Sequence, residues 1–252
     1  MPPLTSPAIV LHVIPYGDTS KILKLLTREA GLVSAIARGA RRPRSRTGPR
    51  LDLFSTGTAT IFTRPTRELH PLVAFELSNA HGAIACDVAR FAAASALAEV
   101  ALRLAPADPH PEIFDAVDAG LSAIEHAPES DRDAAALVAL WGLVAALGFT
   151  PTLDRCVACG KPASGAVHFS PAQGGTLCAA HRVGLRTSTL KPSDRDALEH
   201  LASGRLPPEP LDGRHASAHR RLLISYLRHH LAADRELPAL AFWDSESWNA
   251  TS

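Results

Sequence analysis

The chain has 252 residues, 46% apolar and 20% charged, with a formal net charge of +1. This is an ordinary globular balance, long enough for one large domain or two to three small ones. Four cysteines exclude a disulfide framework, and the uncharged run AAALVALWGLVAALGF (134–149) is shorter than the ~20 residues a membrane span needs, so it reads as a buried core helix.

The net charge conceals a strong asymmetry. Residues 1–80 carry 11 Lys/Arg against 5 Asp/Glu, residues 81–150 carry 3 against 10, and residues 151–252 carry 12 against 10. Such segregation implies regions with different tasks. The N-terminus, MPPLTSPAIV, has no basic segment followed by an apolar one, so no secretory signal is expected and the protein reads as cytoplasmic.

The first elements are strands. AIVLHVIPY (8–16), SKILKLLTR (20–28), LVSAIAR (32–38), TGTATIFTR (56–64) and ELHPLVAFELS (68–78) are rich in β-branched and apolar residues. Gly17-Asp18 and Glu29-Ala30-Gly31 supply turns between them. Five short strands in about 75 residues fit an OB-type barrel. Pattern alone leaves an SH3-like barrel or a small sandwich open.

Between the third and fourth strands runs RGARRPRSRTGPR (38–50), with six arginines and no acid. It has no apolar period, so it is a loop. The bland reading is a solvated loop. The functional one is a phosphate-binding arm, because the guanidinium fork matches phosphate oxygens and each neutralised phosphate releases counterions. Arg38, Arg41, Arg42, Arg44, Arg46 and Arg50 are the expected DNA contacts, with Arg64 and Arg67 at the next strand's turn extending the patch. Lys21 joins them; Lys24, three residues on, faces the other side of its strand. Tyr16, beside the turn at Gly17, is a possible stacking residue, although a lone Tyr at a strand end is more often structural.

From residue 83 the pattern turns helical. Ile84, Val88, Phe91, Leu97, Val100 and Leu104 recur at helical spacing, and helices also fit 111–126 and 131–147, the last ended by Gly148. Further helices are expected at 193–203 and 215–232, with a loose tail after Pro238. The expected domains are therefore a barrel at 1–80 and a helical domain at 81–252 with a metal module near 152–185.

That module rests on Cys156-x2-Cys159 and Cys178-x2-His181, separated by eighteen residues. Three thiolates and an imidazole are a suitable tetrahedral set for zinc, and a two-residue gap lets both sulfurs of a knuckle reach one ion. Gly160 permits the knuckle turn, and Gly174-Gly175 could turn a hairpin that begins with AVHFS (166–170). A thioredoxin-like CVAC would need a βαβ setting that is missing here, and chance clustering does not account for the matched spacing. Four protein ligands leave no open position, so the site reads as structural.

Taken together, PYGDTSKILKLLTREAGLVSAIARGARRPRSR, LGFTPTLDRCVACG and FSPAQGGTLCAAH resemble the bacterial RecO recombination mediators. The resemblance is weaker over 81–146 and in the tail. It implies an OB fold, a helical domain with an embedded zinc module, and binding of single- and double-stranded DNA with annealing of complementary strands. It also implies RecR and the single-stranded-DNA-binding protein, through its C-terminal tail, as partners in loading recombinase, on the nucleoid. His181 stands where many relatives place a fourth Cys. Some relatives lack the metal ligands altogether, which makes zinc a scaffold.

Three functions compete. The first is non-catalytic DNA binding and annealing. The second is an enzyme, but no G-x-x-x-x-G-K-[ST] or G-x-S-x-G motif is present, and the acids of 108–133 read as a solvated helix face. The third is an OB-fold, zinc-ribbon protein that binds RNA or assists transcription, since phosphate contacts and stacking serve both nucleic acids.

Overall fold

A computed structural model describes residues 3–45, 48–63, 67–106, 108–230 and 236–245. Two compact units emerge, residues 1–125 and 126–252.

The first unit opens with β1 (Leu4–Tyr16), β2 (Ser20–Thr27), β3 (Gly31–Ala37), β4 (Thr56–Ile61) and β5 (Leu69–Asn79). They close into a barrel in the order β1-β2-β3-β5-β4, which selects the OB-type arrangement among those the pattern left open. β1 is longer than its sequence signal because Leu4–Ile9 pair with β4 while Ala8–Tyr16 pair with β2. A bulge between Val10 and His12 bends the strand from one partner to the other. β3 and β5 run parallel, with Ser34 opposite Leu69 and Ile36 opposite Pro71, and complete the closure. Alternate residues turn inward, and Val10, Leu23, Leu25, Ala35, Ile61 and Phe75 fill the interior.

Three helices follow in this unit: the single turn α1 (Gly82–Ala85), α2 (Val88–Leu104) and α3 (Pro111–His126). Asp87 separates α1 from α2 by capping α2, its carboxylate accepting from the Arg90 N–H at 3.0 Å. The buried face of α2 is mainly alanine, with Leu97 and Val100. Val88 and Phe91, which share the helical period, are exposed, and Phe91 instead meets Phe54 edge-on at 5.6 Å.

A polar chain joins β4 to α3. Thr56 Oγ1 donates to His81 Nε2 (2.8 Å), and His81 Nδ1–H donates to Glu125 Oε2 (2.7 Å). Asn79 and the Ala83 N–H also donate to that carboxylate. Hydroxyl, imidazole and carboxylate stand in the order of a catalytic triad, but Thr56 and His81 are buried, so the chain serves as a structural tie.

The second unit contains α4 (Arg132–Ala146), a three-stranded sheet, and three further helices. The sheet strands are β6 (Val167–Ser170), β7 (Gly175–Leu177) and β8 (Ser188–Leu190), in the order β7-β6-β8. The helices are α5 (Pro192–Ala202), α6 (Gly213–His230) and α7 (Pro238–Ser245). Gly148 ends α4 with φ of 87°, the left-handed conformation that glycine adopts without strain. Tyr226 of α6 packs on Trp141 of α4 (5.4 Å) and Phe169 of β6 (5.9 Å), joining the layers.

The tail after Pro238 departs from the expected loose segment. α7 forms there because Leu240 and Trp243 are buried. The Arg220 guanidinium lies 4.9 Å over the Trp243 ring, donates to its carbonyl and pairs with Asp133 at 3.1 Å.

Glu125→Ala should leave His81 buried without its acceptor and reduce stability by about 2 kcal/mol, read as a lowered urea midpoint. Burial raises the Glu125 carboxyl, but the donors from Asn79, His81 and Ala83 outweigh it and hold it below its ordinary 4.5. Its contribution is therefore fully present above that pH and disappears as pH falls through the depressed value. Glu125→Ala should flatten the acid limb of stability against pH.

Candidate nucleic-acid interface and metal centre

The Arg-rich segment leaves β3 and crosses the barrel surface before β4. Arg38, Arg41, Arg42, Arg44 and Arg50 are all exposed. Among the described residues no carboxylate forms an ion pair with any of them. Burying such a cluster without counterions would be prohibitive, so the chain displays it and anchors the loop at a few points.

Two ties do this. The Arg41 N–H donates to Thr19 O at 2.8 Å, and its guanidinium donates to Gly17 O at 2.9 Å, binding the loop to the β1–β2 turn. At the other end, Lys21 Nζ donates to Gly48 O (3.0 Å), Leu51 O (3.1 Å) and Asp52 Oδ1 (2.9 Å). The three donors of Lys21 are thus directed at the loop itself, while Lys24 donates to Ser34 on the opposite side. Gly48 is essential to this fit, since a Cβ there would lie 1.9 Å from Ala40 O.

The first tie also sets Tyr16 beside the loop. Tyr16 is 54% exposed and directly precedes Gly17, whose carbonyl Arg41 grips. Sequence reasoning weighed Tyr16 as structural, and only the exposure separates the two roles. Phe62, just past β4, is a second exposed aromatic that the strand pattern absorbed.

Arg67 is exposed too, but stands elsewhere. It precedes Leu69, which faces Ser34, so the parallel register sets it level with Leu32 near the start of β3, while Arg38 follows the end of β3. At ~3.3 Å per residue the two arginines are separated by roughly 20 Å along the strand. Arg46 and Arg64 lie outside the described residues.

In the second unit, Cys156, Cys159, Cys178 and His181 converge, their ligand atoms all within 4.8 Å of one another. Tetrahedral zinc with bonds near 2.0–2.3 Å sets its ligands ~3.8 Å apart, so this cluster is able to hold a metal ion. β7 brings the halves together: Val157 N–H donates to Thr176 O (2.9 Å), and Thr176 Oγ1 donates to Arg155 O (2.7 Å). The approach is possible because Gly175 has no side chain; a Cβ there would lie 2.3 Å from Thr152 O. The Gly160 N–H bonds Cys156 O at 2.8 Å and closes the knuckle.

The electrostatics suit a cation. Burial raises the Cys156 thiol, but N–H groups of Cys178, Ala158 and Cys159 outweigh this and bring it down to about 6. His181, 3.1 Å from Cys178 Sγ, lowers that thiol and is itself raised by it and by Cys156. Cys86 is exposed and stands outside the cluster.

Among the described residues no helix is long and apolar enough to cross a membrane.

The chain is similar to known proteins along most of its length. The family model described as recombination protein O N terminal matches residues 1–81, and the one described as recombination protein O C terminal matches 86–237. A protein named DNA repair protein RecO from Anaeromyxobacter dehalogenans (strain 2CP-C) is 37% identical over 242 residues, covering 94% of each chain. The protein of that name from Synechococcus sp. (strain JA-2-3B'a(2-13)) is 34% identical over 245 residues, covering 91% of this chain and 85% of its own. The one from Rubrobacter xylanophilus is 37% identical over 177 residues and 69% of each chain.

Cys178→Ser should abolish stoichiometric metal in protein purified without added metal, as measured by atomic emission. It should also increase proteolysis of the second unit. Protons compete with metal for thiolates, and the Cys156 thiol lies well below its ordinary 9.0. Metal affinity should therefore weaken progressively as pH falls below about 6, where protons reoccupy the Cys156 thiol.

Proposed function

The chain belongs to the recombination protein O (RecO) family, which places it in DNA repair, and on that premise we propose that it is a non-catalytic recombination mediator. It binds single- and double-stranded DNA, anneals complementary strands and helps load recombinase. The supporting observation is the set of exposed arginines at 38, 41, 42, 44 and 50, which lack acidic partners among the described residues and project from a loop tied at both ends.

The mechanism is electrostatic. Two DNA strands repel each other through their phosphates, and that repulsion slows pairing. An arginine surface replaces the condensed counterions, gaining their release entropy, and lowers the repulsion between the strands it holds. Base pairing then supplies the sequence specificity. A loop tied by Lys21 and Arg41 has lost much of its conformational freedom before DNA arrives, so less ordering accompanies binding. Tyr16 offers a ring on which a base can stack beside the phosphate contacts. Lys21 acts in this scheme by holding the loop, Arg67 forms a second contact point near the start of β3, and Arg64 is a further contact.

The same proposal makes residues 1–80 an OB-fold nucleic-acid-binding domain and 81–252 a helical domain that carries the metal module. The ion at Cys156, Cys159, Cys178 and His181 is zinc, closed by four protein ligands and structural. RecR and the C-terminal tail of the single-stranded-DNA-binding protein are its protein partners, and its location is cytoplasmic, on the nucleoid.

Replacing Arg41, Arg42 and Arg44 with Ala should weaken binding of a labelled single-stranded oligonucleotide. The log–log salt slope should become shallower by about 0.7 for each phosphate that is no longer neutralised. Lys21→Ala should weaken binding while leaving the slope almost unchanged, because it loosens the loop without removing its arginines. Wild-type affinity and slope in the triple variant would exclude the loop as the binding arm.

A further inference from the structure

A second basic surface lies wholly within residues 171–229 and shares no residue with the barrel. Arg214, Ala218, Arg221, Ser225 and Arg228 follow one another at steps of four, three, four and three residues along α6, and all are exposed. Those steps keep them on one face. The three arginines recur every seven residues, about 10.5 Å apart, with small residues between. None is in an ion pair among the described residues.

This stripe forms one wall of two adjoining cavities. The first has a volume of about 520 Å³ and the second about 540 Å³, and they share Pro171, Ser188 and Ser225. The facing wall is β8 with its flanking residues, and adds Arg186 and Lys191. The described lining thus carries five Lys/Arg against one acid, Asp194. That acid is already engaged, 3.3 Å from the Lys191 N–H and 3.8 Å from the His215 imidazole.

The floor of the first cavity holds an independent sign of a ligand. His219 lines it, is only 3% exposed, and has no hydrogen-bond partner for its Nδ1. Leaving such a group buried and unpaired is costly, so native proteins rarely do it. Burial also lowers the His219 imidazole, favouring the neutral form that can exchange a hydrogen bond with a neutral partner.

We propose that this groove is a second strand-binding site, in which the α6 arginines follow the phosphates of a single nucleic-acid strand and the cavity over His219 receives a base. The assignment rests on the DNA-binding reading given above and deepens it. Arginines ~10.5 Å apart match about every third phosphate of a strand stacked at a ~3.4 Å rise. Each cavity is within the ~300–1,000 Å³ range of small-ligand sites. Ser188, Thr189 and Ser225 supply hydroxyls that can meet base edges, and a base edge can pair the Nδ1 of His219. An acidic peptide could also satisfy the arginines, but their even seven-residue spacing favours the regular charges of a phosphate backbone. With one strand on the barrel loop and another on α6, one chain holds two strands at once, as annealing requires.

The test compares four full-length proteins: wild type, the loop variant (Arg41, Arg42 and Arg44 to Ala), the groove variant (Arg214, Arg221 and Arg228 to Ala), and His219→Leu. The probe is a fluorescein-labelled oligodeoxythymidine read by anisotropy across a salt series, alongside annealing of complementary oligonucleotides. The groove variant should bind about tenfold more weakly, with a salt slope shallower by about 2, and should anneal poorly. His219→Leu should bind about fivefold more weakly with the slope unchanged. Circular dichroism checks that each variant is folded. If the loop variant loses binding while the groove variant matches wild type in affinity, slope and annealing, the groove assignment falls and the barrel reading stands. If wild type does not bind the probe, both fall. Loss of binding to a labelled Asp/Glu-rich peptide, with DNA binding intact, would reassign the groove to a protein partner.

Discussion

The parallel pairing of β3 with β5 is the constraint on which the first unit depends. Three register pairs, Ser34–Leu69 to Ile36–Pro71, turn an open meander into a closed barrel. Closure removes the exposed edges that would otherwise invite pairing with another chain. It also determines where the connection between β3 and β4 can run. That connection emerges beyond the end of β3, close enough to the β1–β2 turn for Arg41 to reach two carbonyls there. The charged loop is therefore held through backbone acceptors while its side chains remain in water.

The metal cluster solves a related problem at smaller scale. A three-stranded sheet with strands of three or four residues has little apolar surface of its own. Two loops carrying two ligands each are brought together by β7, and the absence of a side chain at Gly175 shows how closely the strand must approach residue 152. An ion bridging four ligands would add cross-links where the core is thinnest. The cluster and the α6 groove belong to one unit, so a defect in the metal site can reach the groove through β8 without either contributing a ligand to the other.

What the sequence made legible followed from local rules. Alternation and turn residues located the five barrel strands, and paired two-residue spacings located the four side chains that converge at residues 156, 159, 178 and 181. What stayed hidden depended on partners distant in the chain. The β-branched pattern cannot say that β1 begins at Leu4, because those residues are strand only by pairing with β4. The helical period of Val88 and Phe91 suggested a core face, yet alanines around Leu97 and Val100 are what pack. α7 was illegible because its stability comes from Trp243 meeting Arg220, 23 residues away. Arg67 looked adjacent to the basic loop in sequence, and only the β3–β5 register separates them.

The same logic sorts the arginines, which composition alone treats as equivalent. Arg28 pairs with Asp115, Arg90 with Asp87, Arg132 with Glu129 and Arg220 with Asp133. The acids of the middle region, read from sequence as a solvated face, thus act in part as internal counterions. They withdraw particular arginines from the surface and leave others unmatched. Neighbours on α6 show the division clearly: Arg220 is buried against Trp243 and Asp133, while Arg221, about 100° further round the helix, is exposed and unpaired. Among the described residues exposed arginines without a carboxylate partner cluster in the loop at 38–50 and along the stripe at 214–228, although Arg67, Lys161 and Arg182 are exposed outside any ion pair as well. A polyanion would be attracted to those two surfaces because each concentrates several cations without carboxylate partners.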